Sequence, residues 1–207
     1  KADLTVVYPL ARGTGPLLTA LVAVTLLGER LSAWGVLGIV AVVGGVFLIA
    51  GGPGLLRAAH DPQARLRVRA GLRYGVLTGI FIASYTVVDG YAVKAMLLSP
   101  VLVDYMGNFV RVAVLAPVAL RNRAETARLW AGQWRFALLV AVVSPIAYVL
   151  VLFAMQEAPM AHVAPAREVS MLFAALIGGH LLDEGDRAAR LAGALLIAAG
   201  VVALALG

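Results

Sequence analysis

Residues 11–52 of the chain read ARGTGPLLTALVAVTLLGERLSAWGVLGIVAVVGGVFLIAGG. The stretch consists of two apolar runs joined by a short polar segment, LLGERLS, at residues 26–32. Each run approaches the roughly 20 residues that a helix needs to cross a bilayer. Since lipid offers no partner to backbone groups outside helices and closed barrels, the stretch predicts two membrane-spanning helices.

The same pattern returns 155 residues further along the chain, at residues 166–207. Without a gap, 14 of the 42 aligned positions are identical. The identical pairs include Arg12 and Arg167, Glu29 and Glu184, Gly38 and Gly193, and Gly45 and Gly200. Apolar composition alone gives far fewer identities, so we interpret the pattern as an internal repeat, which bears on the architecture of the whole chain.

The rest of the chain has the same character. Of its 207 residues, 62% are hydrophobic and only 14% are charged, whereas a soluble domain carries about 25% charged residues. This composition excludes a soluble globule, a disordered chain and a collagen-like fibre, and the lack of cysteine excludes disulfides and thiolate metal sites. Seven membrane spans are predicted: Thr5–Leu27, Ala33–Ala50, Tyr74–Met96, Val101–Leu120, Phe136–Met155, Ala161–Leu182 and Leu191–Leu206.

The positions of the two copies among these spans predict their relative direction. The first two spans match the last two, so the copies are five spans apart, and an odd offset makes them cross the membrane in opposite senses. That is an inverted-topology repeat. We therefore expect an all-α membrane protein, a polytopic helical bundle built as an inverted repeat of five-helix units with the first unit truncated.

This arrangement divides the chain into three parts. Residues 1–52 are the last two helices of the first repeat, residues 53–73 a basic connector, and residues 74–207 the complete second repeat. On this interpretation the chain is a fragment, and three helices of the first repeat belong before Lys1.

The polar segment between the first two spans also resembles a known family. LLGERLS at residues 26–32, followed by a glycine-rich span, resembles the EamA-type signature of the drug/metabolite transporter superfamily. YPLARG at residues 8–13 is similar to the start of the fourth helix in one branch of it, while LLDEG at residues 181–185 departs from the signature because Asp replaces Gly. The resemblance covers the whole chain as helices four to ten of ten. It implies an inner-membrane (plasma-membrane) carrier that moves small metabolites or drugs, by efflux or uptake, through alternating access. The excess of arginine over lysine and the abundance of alanine suggest a bacterial source, and no cofactor is expected.

The basic residues predict an orientation. Twelve lie on one side of the predicted spans: Lys1, Arg57, Arg65, Arg67, Arg69, Arg73, Arg121, Arg123, Arg128, Arg135, Arg187 and Arg190. Only Arg30 and Lys94 lie on the other side. Basic connectors stay in the cytoplasm, which places the C-terminus outside. Ten-helix members of the family that the chain resembles usually have both termini in the cytoplasm. The orientation predicted by the basic residues therefore differs from the usual one.

Ionisable side chains inside spans are costly and are candidates for function. Arg12 and Arg167 are repeat mates, each near a proline, and helices interrupted at matching positions in two repeats mark transporter sites. We expect both arginines to face a cavity, where they bind an anionic group of the substrate or hold a carboxylate such as Glu168. The alternative is a structural ion pair that joins helices.

Further polar candidates lie in the third, fourth and fifth spans. Asp89 and Tyr85, which lies one turn before it on the same face, are further candidates for substrate binding. Asp89 and Glu168 are also candidates for proton coupling, since a carboxyl group among membrane helices can take up and release a proton. Tyr148 is a further candidate to line the cavity. Asp104, Asn108 and Arg111 are spaced four and three residues apart, so they form one polar stripe, either self-paired or in contact with the substrate.

Other functions and roles remain as alternatives. A non-transporting membrane subunit is one, and an intramembrane enzyme is another, suggested by Asp89-Gly90 and Ala92 although the companion acids of such a site are missing. Glu29 and Glu184 suggest a role in capping a loop or pairing helix ends, and the repeated glycines suggest close packing within the chain or between subunits of a homodimer. The expected partners are a small-molecule substrate and the bilayer; neither a metal nor a nucleic acid is expected.

Overall fold

The computed structural model of the chain describes residues 4–49, 62–173 and 187–207. Within these ranges it has seven delimited helices and no strand, and residues 169–173 are helical as well. The helices are α1 Leu4–Thr25, α2 Ala33–Ile49, α3 Pro62–Lys94, α4 Pro100–Arg121, α5 Arg123–Glu157, α6 Met160–Ala166 and α7 Arg187–Leu206. The protein is an all-α membrane protein, as its composition predicts.

Within the described part of the chain, three helical stretches are long and apolar enough to cross a membrane: Ala70–Lys94, α4 and α5. Two further apolar helical stretches are shorter, Ala33–Ile49 and Leu191–Leu206. The predicted third, fourth and fifth spans therefore correspond to helices of spanning length. The sixth predicted span differs, because helix α6 ends at Ala166 and a turn follows at residues 167–168 before helical backbone resumes at residue 169.

Two helices begin earlier than the apolar pattern predicts. Helix α3 starts at Pro62 and not near Tyr74, so part of the predicted basic connector is helical, and α5 starts at Arg123 and not near Phe136. Both extensions are rich in Ala, Leu, Arg and Gln, which are strong helix formers whatever their hydropathy. The helix signal therefore continues where the membrane signal stops.

The chain forms two compact units. The first comprises residues 1–88 and 158–207, and the second comprises residues 89–157. In the first unit, α1 packs against α2 and α6, α2 packs against α6 and α7, and α6 packs against α7. In the second unit, α4 packs against α5, and most of their apolar side chains are exposed, as lipid-facing side chains are.

The packing of α2 against α7 depends on the repeated glycines. A Cβ added at Gly38 would lie 2.8 Å from the carbonyl oxygen of Gly200, and one added at Gly193 would lie 2.7 Å from that of Gly45. As residue numbers rise along α2, the residues that they meet on α7 fall in number, so the two helices run antiparallel. Small residues permit such backbone approach, and here it occurs within one chain.

This contact is also symmetric with respect to the repeat. An added Cβ at Gly45 would meet Ile197, and one at Gly200 would meet Val42, each at 2.7 Å. Gly45 aligns with Gly200 in the repeat, and Val42 aligns with Ile197. The two aligned helices therefore make the same contact in both directions. The antiparallel course agrees with opposite membrane senses, while the division of the chain into two five-helix repeats stays a prediction.

Candidate functional site

Arg12 and Glu168 form an ion pair in the first unit. Arg12 Nη1 donates to Glu168 Oε2 at 3.1 Å, and it lies 3.4 Å from the hydroxyl oxygen of Ser170. The pair joins α1 to the turn after α6, residues that are 156 positions apart in the chain. The Glu168 side chain is 4% exposed and that of Arg12 is 34% exposed. A buried carboxylate is thus matched by a guanidinium that is partly accessible.

Arg167 lies next to this pair in the chain and points to another helix. Its Nη1 lies 3.4 Å from the hydroxyl oxygen of Thr86 on α3, and Thr86 is 1% exposed. We refer to Arg12, Arg167, Glu168, Thr86 and Ser170 as the arginine cluster. It contains two guanidinium groups, one carboxylate and two hydroxyls.

The backbone around Arg167 explains how three helices contribute to the arginine cluster. Helix α6 contains Pro165, which has no N–H to donate. Past it, the Glu168 N–H bonds to the Pro165 carbonyl and the Met171 N–H bonds to the Glu168 carbonyl, at 2.9 and 2.8 Å. These i to i+3 bonds form a tight turn, which directs the two side chains toward α1 and α3.

The repeat predicts that the helix of the first copy is interrupted near Arg12, as the second copy is near Arg167, and this prediction is wrong. Helix α1 is continuous from Leu4 to Thr25, although Pro9 lies in it. The position aligned with Glu168 is Gly13, which has no side chain that a partner helix could hold. The two copies therefore differ at this position, because the second has Glu168, which accepts from Arg12, and the first has Gly13.

In the second unit, Asp89 is bonded to Tyr148. The Tyr148 hydroxyl donates to Asp89 Oδ2 at 2.6 Å, joining α3 to α5. This length is typical of a strong hydrogen bond to a charged oxygen. Tyr85, the neighbour expected from helical spacing, is 37% exposed; its part in the site stays a prediction.

The polar stripe on α4 is a hydrogen-bonded chain. Asn108 Nδ2 donates to Asp104 Oδ2 at 2.9 Å, and Arg111 Nη1 donates to Asn108 Oδ1 at 2.8 Å. Asp104 is buried, Asn108 half-buried and Arg111 exposed. The Asn108 amide thus bridges Asp104 and Arg111 through hydrogen bonds, in agreement with the self-paired alternative.

Sequence reasoning missed Thr86 and Ser170, because an isolated hydroxyl residue in an apolar helix carries no signal of its own. It also missed the buried Nε2 of His162, which has no hydrogen-bond partner within the described part of the chain. Glu184, the repeat mate of Glu29, lies outside the described residues. Among the residues that the structure describes, no three His, Cys, Asp or Glu side chains are grouped as metal ligands would be.

Comparison with known proteins gives one match. The family model described as EamA-like transporter family matches residues 69–206, about two thirds of the chain. The match starts in the predicted basic connector and covers the part assigned to the second repeat. No curated protein and no solved structure matches the chain.

Proposed function

The chain belongs to the EamA-like transporter family, and on that basis we propose that it is a secondary transporter of small metabolites or drugs. It works by alternating access in the inner membrane of a bacterium. The family is one of membrane transporters and not of enzymes, and the long apolar helices suit that setting. The finer proposals below concern the substrate site and the driving ion.

The Arg12–Glu168 ion pair carries the proposal for the substrate site. Charged groups within membrane helices are costly and are retained mainly along substrate and ion pathways. This pair joins one predicted repeat to the other at a helix break, which is the kind of place where transporters bind their substrates. We assign substrate contact to Arg12, Arg167 and Glu168.

The exposure of the two partners suggests how a substrate binds. Arg12 is the accessible member of the pair and Glu168 the buried one. A carboxylate or phosphate on the substrate can reach the Arg12 guanidinium and take the place of Glu168, because all three groups are oxyanions that form the same charge-assisted bonds. A substrate with an acidic group fits the arginine cluster best.

Proton coupling is a separate part of the proposal. When a substrate displaces Glu168 from Arg12, the Glu168 carboxylate loses the cation that it was bonded to and can bind a proton instead. Asp89 is the second candidate, and its carboxylate accepts a hydrogen bond from the Tyr148 hydroxyl. These two acids, each inside a predicted span, are the groups that we expect to bind the coupling proton.

The test is transport by the purified protein in proteoliposomes. A panel of carboxylic acids, amino acids, phosphorylated metabolites and cationic dyes is offered with and without an imposed proton gradient. We expect uptake of an acidic solute, a loss of at least tenfold in kcat/KM in Arg12→Gln, and no response to the gradient in Asp89→Asn or Glu168→Gln.

Matched controls separate these effects from general damage. Arg128→Gln and Glu125→Gln change exposed residues of α5 and leave transport unchanged. Undiminished transport of the acidic solute by Arg12→Gln removes the arginine cluster from the mechanism. A full response to the gradient in both acid variants shows that neither Asp89 nor Glu168 binds the coupling proton, and no response in the native protein removes proton coupling altogether.

A further inference from the structure

The short helix α6 begins without a capping side chain of its own. It has seven residues, and the residue before it, Pro159, makes no side-chain cap hydrogen bond. The first four N–H groups of any helix lack partners within the helix, and a helix this short is unstable in isolation. Its stability therefore depends on what those four groups contact.

Glu29 supplies two of the four contacts. Its Oε1 accepts from the Met160 N–H and its Oε2 from the Ala161 N–H, both at 2.9 Å. The next two N–H groups, at residues 162 and 163, bond to the Pro159 carbonyl at 3.0 Å. All four groups are satisfied, and a negative carboxylate lies at the positive end of the helix.

The turn after α1 directs Glu29 toward α6. Gly28 has a φ of +69°, which a residue with a side chain rarely adopts, and the Glu29 N–H bonds back to the Ala23 carbonyl at 3.1 Å. A glycine at positive φ commonly reverses the chain after a helix. The adjacent Gly and Glu thus have separate tasks: Gly28 ends α1, and Glu29 reaches across to cap α6.

The capped helix leads directly to the arginine cluster. Helix α6 is about 10 Å long at the α-helical rise, and Arg167 and Glu168 follow its last residue. Its first turn is also held closely by α2, since a Cβ at Gly35 would lie 2.9 Å from His162 Nε2. Fixing the start of so short a helix also fixes where its end lies.

We propose that Glu29 is a positioning residue for the substrate site: by capping α6 it holds Arg167 and Glu168 where Arg12 can meet them. The proposal rests on the proposed function, and it adds a residue whose bonds to Met160 and Ala161 lie at the opposite end of α6 from the arginine cluster. Loss of the cap leaves the cluster's side chains present and lets the turn that carries Glu168 shift.

Two measurements on the full chain test this, in Glu29→Ala, Glu29→Gln and Glu29→Asp. The first, amide hydrogen exchange of residues 159–166, needs no substrate. We expect exchange to rise about twofold to thirtyfold in Glu29→Ala, the range that corresponds to a lost helix cap. Glu29→Gln should give a smaller rise, because its amide oxygen still accepts one bond. Glu157→Gln, an exposed glutamate at the end of α5, is the control and leaves exchange unchanged.

The second measurement is KM for the acidic solute, alone and combined with Arg12→Gln. We expect Glu29→Ala to raise KM several-fold in the native background and to add little in the Arg12→Gln background, because the site that it positions is already disabled. A general loss of folded protein would instead lower the maximal rate in both backgrounds. If Glu29→Ala does not fold, the Gln and Asp variants provide the same comparison.

The outcomes separate the two proposals. Unchanged exchange in Glu29→Ala overturns the capping role, and raised exchange with an unchanged KM overturns the positioning role. If Arg12→Gln transports normally, the substrate site is wrong, and the exchange result still decides whether Glu29 caps α6.

Discussion

At the residue scale, the two partners of the Arg12–Glu168 pair are in different surroundings. Glu168 is buried in the first unit, whereas a third of the Arg12 side chain is exposed. The loss of either partner takes from the other its hydrogen-bonded opposite charge, and this costs more for a buried charge than for a partly exposed one. The two possible deletions therefore have different consequences.

We expect Arg12→Gln to destabilise the fold more than Glu168→Gln. The first leaves a buried carboxylate without its cation and costs about 3 kcal/mol, while the second leaves an accessible guanidinium and costs about 1 kcal/mol. Thermal unfolding in detergent, followed by circular dichroism, measures both. Equal losses, or a larger loss in Glu168→Gln, would contradict this asymmetry.

The sequence predicted several residues of the candidate site but not the contacts between them. The repeat singled out Arg12 and Arg167, and the cost of charge in membranes singled out Glu168 and Asp89. Which groups meet was not predictable, because the partners are distant in the chain: Asp89 bonds to Tyr148, 59 residues away, and not through the i−4 spacing that made Tyr85 the nearest candidate. Local spacing reports neighbours on one helix only.

At the element scale, apolar pattern and helix extent proved to be separate quantities. The predicted spans match the apolar parts of α1 to α5, but α3 and α5 extend about twelve residues beyond them. Hydropathy records where lipid ends, and helix propensity continues through Ala, Arg and Gln. The early start of both helices is indicated by the helix-forming residues of the connectors, and apolar runs alone do not reveal it.

The interruption after α6 shows a different limit. Prolines occur near the arginine in both copies, yet only the second copy is broken. The second copy has Glu168, which bonds to Arg12 on α1, where the first has Gly13, and such a tertiary bond cannot be inferred from a proline alone.

The glycine contact between α2 and α7 gives an element-scale prediction with a control one residue away. A Cβ at Gly45 would press on Ile197, whereas a Cβ at Gly44 meets nothing within 4 Å. We expect Gly45→Ala to lose about 1–3 kcal/mol of stability through overpacking and Gly44→Ala to lose none. The same thermal unfolding measurement in detergent compares them; equal behaviour of the two variants would mean that α2 and α7 do not meet at Gly45.

At the scale of the whole molecule, the basic residues predict that the segment between α4 and α5 faces the cytoplasm. The chain has no cysteine, so single cysteines report orientation without background. We expect Asn122→Cys, just after α4, to be protected in intact bacterial cells from a maleimide that cannot cross the membrane. Met96→Cys, before α4, should be labelled.

Neither substitution changes a charge, so the pattern that orients the protein stays intact, and lysed cells should label both positions. If only Asn122→Cys is labelled in intact cells, the predicted orientation is wrong, and the chain has the orientation that is usual in the family.

The fold class was readable from composition, and the family from LLGERLS at residues 26–32 and its glycine-rich sequel; the family match over residues 69–206 agrees with it. The two compact units were not predicted. Their boundary falls inside α3, between residues 88 and 89, and no change of composition marks it. Compactness follows from which helices touch, which the repeat pattern does not encode.

Where α2 and α7 cross, Gly38 lies opposite Gly200 and Gly45 lies opposite Gly193. Gly200 is the repeat counterpart of Gly45, and Gly193 is that of Gly38. An interchange of conformation between the two copies would carry Gly38 into the surroundings of Gly193 and Gly45 into those of Gly200, which are already equivalent. Such an interchange would preserve the backbone contacts at this junction, with Val42 and Ile197 taking each other's place.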